Sequence, residues 1–479
     1  MPVRSRIVIV TFAALCWRGA IAADSPVLDT FQQWLSAFNS GDAGKISAFW
    51  QKYGSRQLPS SRSSFDLRLR KATGGMSIFR ITEQTQTHLV ALMKEGRGRY
   101  SESIMDLAAT SPPVVGRLIG RPVPPPDSYP SRASNDADLA SKVREQIAQM
   151  YGTDAFSGAI LIAHQGEVLL DQAWGDADIA RNVRNTPETQ FSIGSMNKMF
   201  TAVAILQLVS QGKLALDAPI AKYWPDYPNH DLAARVTVRE LLDHTAGTGE
   251  IFVPEVETHR SELHTLADVV KLLGNRSVEF PPGTQWEYSN YGFILLGRLI
   301  ELVSGEPYDR YVREYVFLPA GMLHTTPRPD TNHAGGCAIG YTHGPHGLTP
   351  TTPTKPEPPV AGETAAGGGY STVYDLFLFA QALQSGKLLS PPLLKQATSW
   401  DVVHPVCGLG FSLVWNRAYG HAGAGPGANG ELRIMPESGY VLVALANRDP
   451  MMAADMLDAI TSMLPPDERG MSRSRNKRR

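Results

Sequence analysis

Phe191-Ser192-Ile193-Gly194-Ser195-Met196-Asn197-Lys198-Met199-Phe200-Thr201-Ala202 is the stretch that orders the rest of this 479-residue chain. A glycine precedes Ser195. An apolar, helix-favouring run follows it: Met199, Phe200, then Ala202 to Leu208. That context places Ser195 at the start of a buried helix. Residues three apart on a helix share a face, so Lys198 can reach the Ser195 hydroxyl. A serine beside a lysine that sheds its proton in a partly desolvated site is an activated nucleophile. Alone, S-x-x-K is a weak signal, expected by chance about once per few hundred positions. Decoys of the same pattern occur in this chain. Ser210-Gln211-Gly212-Lys213 falls where the helix ends, and Ser474-Arg475-Asn476-Lys477 lies in a basic tail with no apolar face.

Two further motifs follow in order. Tyr288-Ser289-Asn290 stands just before an amphipathic helix that starts at Phe293, and His421-Ala422-Gly423 precedes the last two strand-like runs. Each has a decoy as well, Tyr227-Pro228-Asn229 and His333-Ala334-Gly335, so the combination and its order carry the argument. With these motifs the chain resembles the serine beta-lactamase-like, penicillin-binding family: class C beta-lactamases, D-alanyl-D-alanine carboxypeptidases, D-aminopeptidases and related esterases. The resemblance spans roughly residues 140 to 450. Supporting stretches are Leu241-Leu242-Asp243-His244-Thr245-Ala246-Gly247, Gly367-Gly368-Gly369-Tyr370-Ser371-Thr372 and Gly408-Leu409-Gly410-Phe411.

The resemblance implies a role for each residue. Ser195 is the nucleophile that forms an acyl-enzyme, and Lys198 lowers the cost of deprotonating it. Tyr288 is the expected general base toward Ser195 and later the acid toward the leaving group. A phenol titrates near 10 when unperturbed, so that role needs a neighbouring cation, which Lys198 can supply, and the sequence leaves open which of the two holds the proton. Asn290 hydrogen-bonds Lys198 or the substrate amide. The backbone N–H groups of Ser195 and Ala424, the latter just after Gly423, form the oxyanion hole. His244 is read as structural. Beta-lactamases of the family usually carry lysine where this chain has His421, which is neutral at pH 7 unless perturbed. Peptidase and esterase members commonly carry histidine there. The expected activity is therefore a carboxylesterase or D-amino-acid peptidase. The alternatives are a class C-like beta-lactamase, or a penicillin-recognising sensor with little turnover. The substrate is a small ester, amide or peptide.

Composition narrows the remaining classes. Hydrophobic residues make up 43% of the chain, enough for sizeable cores, and the formal net charge of -1 gives no pull toward nucleic acid. Only the tail, residues 466–479, is strongly basic, and it reads as solvated chain. Histidines are scattered and the two later cysteines lie far apart, so neither a metal site nor a cofactor is expected. Arg4 and Arg6 precede an apolar run from Ile7 to Trp17, and Ala20-Ile21-Ala22 follows. This is the layout of a secretory signal peptide over residues 1–23. It implies a periplasmic or secreted protein, with no membrane span after cleavage. Export leaves Cys337 and Cys407, which are either bridged or two separate thiols.

The expected fold class is α+β: a beta-lactamase/transpeptidase-like domain over residues 136–465, preceded by a small α+β domain over residues 24–110. In the large domain, the hairpin Gly158–His164 and Glu167–Trp174 should pair with strands near the end into one antiparallel sheet. Helices flank that sheet, and others form a separate lobe. In the small domain, Leu28, Phe31, Trp34, Leu35 and Phe38 share one helix face, a second helix follows Asp42, and three strands follow from Met76. Its opening, Trp34 to Asp42, resembles the nuclear-transport-factor-like family, whose members often bind small ligands or mediate dimer contacts. The proline-rich residues 111–135 read as an extended linker. Pro327 to Gly369 reads as long loops near the site, with Lys355 to Pro359 as a local insertion.

Overall fold

Two continuous apolar stretches, Gly158–His164 and Tyr440–Ala446, pair inside the sheet that carries the site. The computed structural model describes residues 25–54, 62–96, 100–108, 113–123, 131–150, 156–327, 336–344, 347–351, 365–399, 407–414 and 418–465. The expected signal peptide, the insertion at 355–359 and the basic tail lie outside the described residues. Contacts divide the chain into two units, with the boundary between Arg121 and Pro122.

In the first unit, α1 (Pro26–Ser40) buries Val27, Phe31, Trp34 and Phe38 on one face and ends at Gly41, whose φ is 66°. The Asp42 side chain caps α2 (Ala43–Tyr53) by accepting from the Lys45 N–H at 3.0 Å. An unforeseen helix, α3 (Arg62–Thr73), follows. Buried Asp66 accepts the indole N–H of Trp34 at 3.1 Å and of Trp50 at 2.8 Å. The strands β1 (Met76–Gln84), β2 (His88–Glu95), β3 (Tyr100–Ala108) and β4 (Val114–Val123) then form a meander in chain order.

β4 corrects the linker expectation, since it occupies much of residues 111–135. It is an outer strand with Val115 and Leu118 buried. Prolines are tolerated on outer strands and at their ends, so the proline signal that suggested a linker marks a sheet edge. The end of the expected linker also packs: Ala133 is buried and its N–H donates to the Met463 carbonyl at 2.8 Å.

The second unit opens with α4 (Asp136–Ala148), capped by Asn135, and the hairpin β5 (Gly158–His164) and β6 (Glu167–Trp174). Near the end of the chain come β7 (Ser412–Val414), β8 (Ala418–Gly425), β9 (Ala428–Met435) and β10 (Tyr440–Ala446). They join the hairpin in one antiparallel sheet of order β7-β8-β9-β10-β5-β6, with β10 paired to β5 from Tyr440↔His164 to Ala446↔Gly158. Strand side chains alternate between faces. Ala159, Leu161, Val441, Val443 and Leu445 therefore join one core with α5 (Asn197–Ser210), α6 (Asn290–Ser304) and α7 (Val373–Gln384). Ile160, Ile162, Leu442 and Ala444 join another core with α4 and α8 (Met452–Met463). Coverage on both faces explains why these central strands read as continuous apolar runs rather than a polar–apolar alternation.

Candidate active site

Ser195 lies in a single 3-10 turn, Gly194–Met196, that feeds directly into α5. From Met199 to Leu206 every residue of α5 is buried, the mark of a helix enclosed on all sides. Lys198, in its first turn, is 0% exposed. The Lys198 Nζ lies 3.3 Å from Ser195 Oγ and donates to Asn290 Oδ1 at 2.7 Å. It also donates to the Ala366 carbonyl. Desolvation pushes Lys198 down to about 7, against a smaller opposing pull from Glu250. A neutral amine has two N–H bonds and one lone pair. Asn290 Oδ1 and the Ala366 oxygen can only accept, so they take the two N–H bonds. The lone pair is left for the Ser195 O–H.

Tyr288 enters from a loop that Ser289 fastens to α6. Ser289 caps that helix by accepting from the Gly292 N–H at 2.9 Å, and its hydroxyl donates to the Gly249 carbonyl at 2.5 Å. The Tyr288 ring centroid lies 4.7 Å from Lys198 Nζ, and its phenol is near Ser195. Desolvation raises Tyr288 well above the usual phenol range, and the Ser195 contact opposes this only in part. Burial thus opposes the phenolate that a general base at Tyr288 would need. Desolvation disfavours the charged form of each group, which keeps Tyr288 a phenol and brings Lys198 to the point where a neutral amine is populated near pH 7. His244 is buried, its Nδ1 accepts from the Ser289 N–H at 3.1 Å, and desolvation holds it well below the usual histidine range.

The third wall is the end of β8. Gly194 has a φ of 50°, and a Cβ there would sit 3.2 Å from the Ala424 nitrogen. A Cβ on Gly423 would lie 1.9 Å from the Ile193 carbonyl oxygen and 3.2 Å from the Ser195 nitrogen. Only glycines allow the strand to approach the turn this closely, with the Ala424 nitrogen next to Gly194 and the Ser195 nitrogen next to Gly423. Two converging N–H groups beside a hydroxyl can stabilise an oxyanion. His421, on the same strand, is buried, and its Nδ1–H donates to the Ala422 carbonyl at 2.6 Å. Desolvation, with a smaller push from Lys198, lowers it to about 4, so it is a neutral imidazole at pH 7.

The structure thus gathers Ser195, Lys198, Tyr288, Asn290, Gly423 and Ala424, with His421 beside them. The decoys fall elsewhere. Tyr227 is buried with its hydroxyl 3.1 Å from that of Tyr291, and Ser210 closes α5, while the other two lie outside the described residues. Sequence reasoning missed the Ala366 carbonyl and Glu250. Cys337 and Cys407 are not bridged, and Cys337 donates to Gln190 Oε1 at 3.0 Å. A cavity of about 370 Å³ is lined by Ile193, Asn197, Tyr308, Phe317, Thr325 and Gly369 among others, and by none of the expected site residues. Among the described residues, no group of three His, Cys, Asp or Glu could hold a metal ion, and no helix is long and apolar enough to cross a membrane.

The family model described as Beta-lactamase matches residues 142–462, more than half of the chain. The chain belongs to the beta-lactamase family. A Bacillus subtilis (strain 168) relative, named provisionally as penicillin-binding protein PbpX, is 32% identical over 302 residues, covering 63% of this chain and 73% of its own. The solved penicillin binding protein from Bacillus halodurans superposes with a TM-score of 0.58 at 28% identity, over 68% of this chain and 99% of that one. The D-amino acid amidase from Ochrobactrum anthropi SV3, complexed with L-phenylalanine, gives a TM-score of 0.56 at 25% identity, over 72% and 100%. Among these relatives of the beta-lactamase family are both penicillin-binding proteins and an amidase.

Proposed function

We propose that this chain is an exported serine hydrolase that cleaves an ester or amide through an acyl-enzyme on Ser195. The carrying observation is the setting of Lys198: a buried amine with two acceptor-only partners and its remaining valence toward Ser195 Oγ. In this reading Lys198 takes the Ser195 proton as Oγ attacks the carbonyl carbon. The oxygen that gains charge is met by the Ser195 and Ala424 N–H groups. Tyr288, held protonated, donates to the departing oxygen or nitrogen and recovers a proton from the Lys198 ammonium. Water then enters against the acyl ester, with Lys198 again neutral and able to accept its proton.

The substrate class follows from His421. A neutral imidazole offers no permanent cation to a substrate carboxylate, which favours a simple ester or a D-amino-acid amide over a beta-lactam. The amidase relative adds support for the amide class. The test is a hydrolysis profile across p-nitrophenyl esters, D-amino-acid amides, acyl-D-Ala-D-Ala and nitrocefin, with Ser195→Ala as control. Steady turnover of an ester or D-amide that Ser195→Ala abolishes supports the reading. Efficient nitrocefin turnover supports the beta-lactamase alternative. A stoichiometric burst followed by silence on all four supports the sensor alternative.

A further inference from the structure

Glu250 stands three residues after Gly247, in a loop without a motif of its own. Its carboxylate is held at both oxygens: Oε2 accepts from Asn290 Nδ2 at 2.9 Å, and Oε1 accepts from the Ile251 N–H at 2.6 Å. Its carbonyl in turn accepts from Arg276 Nη1 at 2.9 Å, which ties the loop down from outside. The far end of the same Asn290 amide faces Lys198, with Oδ1 2.7 Å from Nζ.

A carboxamide has two ends of similar shape and opposite hydrogen-bonding sense. A carboxylate only accepts, so it selects the NH₂ end of Asn290 and turns Oδ1 toward Lys198. Without that constraint the amide can rotate. Its NH₂ would then compete with the Ser195 hydroxyl for the Lys198 lone pair. We propose that Glu250 is a positioning residue for acyl transfer: it locks Asn290 so that Oδ1 orients the Lys198 amine, and it sets a negative charge across that amide from Nζ. This rests on the acyl-transfer reading above.

The surroundings make the charge readable. The titratable groups that act on Lys198 or face it are Glu250, Tyr288, His244 and His421. Desolvation keeps Tyr288 a phenol and both histidines neutral, so the carboxylate is the charged member of the set. Glu250 itself is faced by Glu279, Tyr288, Lys198 and Arg276. An anion near an amine favours the ammonium, so removing the anion lets Lys198 lose its proton at lower pH.

The experiment follows the rate of fluorophosphonate labelling of Ser195 against pH in the full-length protein, in Glu250→Gln and in Glu250→Ala. Both variants are expected to shift the acidic limb to lower pH, by roughly half a unit to one unit. Glu250→Ala should also lose more of the plateau than Glu250→Gln, because only glutamine keeps an acceptor for Asn290 Nδ2. A limb in Glu250→Gln that superposes on the wild-type limb overturns the proposal, as does an equal plateau loss in both variants without a shift. Absence of Ser195 labelling in the wild-type protein instead removes the acyl-transfer reading on which the proposal rests.

Discussion

The imidazole of His244 lies against the ring of Tyr288, with centroids 4.5 Å apart and planes 29° apart. The same residue grips the loop on either side of the tyrosine. Its carbonyl accepts from the Glu287 N–H at 3.0 Å, and its Nδ1 accepts from the Ser289 N–H at 3.1 Å. Its φ of 64° aims these groups, a conformation that histidine tolerates better than most residues. His244→Ala removes the stacking partner and leaves the buried Ser289 N–H without its acceptor. We expect a stability loss of about 3 kcal/mol, read as a lowered melting temperature. We also expect kcat to fall by about tenfold or more as Tyr288 loses its place. His244→Asn, which accepts the same backbone conformation, should recover part of the stability and little of the activity. Wild-type melting and kcat in His244→Ala would show that the clamp is idle.

Gly423→Ala tests the third wall. The added methyl meets the Ile193 carbonyl at 1.9 Å, a contact that forces β8 away from the Ser195 turn. The Ala424 N–H then no longer shares a point with the Ser195 N–H. Loss of one oxyanion donor costs about 10²–10³ in kcat. The measurement is kcat for a p-nitrophenyl ester, with circular dichroism to check the fold. A kcat within twofold of wild type contradicts the assigned oxyanion hole.

Asn429 links β9 to both the site and α8. Its Nδ2 donates to the Gly423 carbonyl at 3.0 Å, and its Oδ1 accepts from the Ala453 N–H at 2.7 Å in the first turn of α8. The residue is buried, so Asn429→Ala strands both partners away from water. We expect a loss of about 2–4 kcal/mol in thermal or urea unfolding. Asn429→Asp keeps the acceptor for α8 but turns an acceptor onto the Gly423 carbonyl, so it should lose activity more than stability.

The pH profile follows from the three desolvated groups. Lys198 must be neutral to accept a proton, and it titrates at about 7. The kcat/KM should therefore rise through pH 7 and level off above it, with activity lost as pH falls and the ammonium forms. His421, neutral down to about 4, should add no limb above pH 5. Tyr288, raised above the usual phenol range, should add no alkaline limb below pH 9. A flat profile from pH 5 to 9 contradicts Lys198 as the base.

Much of this site was legible because its chemistry sits in side chains at helical spacing. Ser195 and Lys198 are one turn apart, and the order of Tyr288-Ser289-Asn290 and His421-Ala422-Gly423 distinguished them from their decoys. The sheet was legible because the hairpin at Gly158–Trp174 and the closing strands are strongly apolar. What stayed hidden has a common cause. The Ala366 carbonyl belongs to the backbone and has no residue signature, and Glu250 reaches the site only through a long-range contact with Asn290. α3 carries the buried Asp66, whose partners Trp34 and Trp50 lie in α1 and α2, and β4 is flanked by prolines that an outer strand tolerates. In each case tertiary contacts decide what local pattern does not record.

The most direct measurement of the central claim is intact-protein and peptide mass spectrometry after treatment with a fluorophosphonate, with the rate of adduct formation followed from pH 5 to 9. The account predicts one adduct, on Ser195, absent in Ser195→Ala and strongly slowed in Lys198→Ala, with a rate that falls as pH drops below 7. An adduct that persists in Ser195→Ala, or labelling of Ser195 at an undiminished rate in Lys198→Ala, would contradict it.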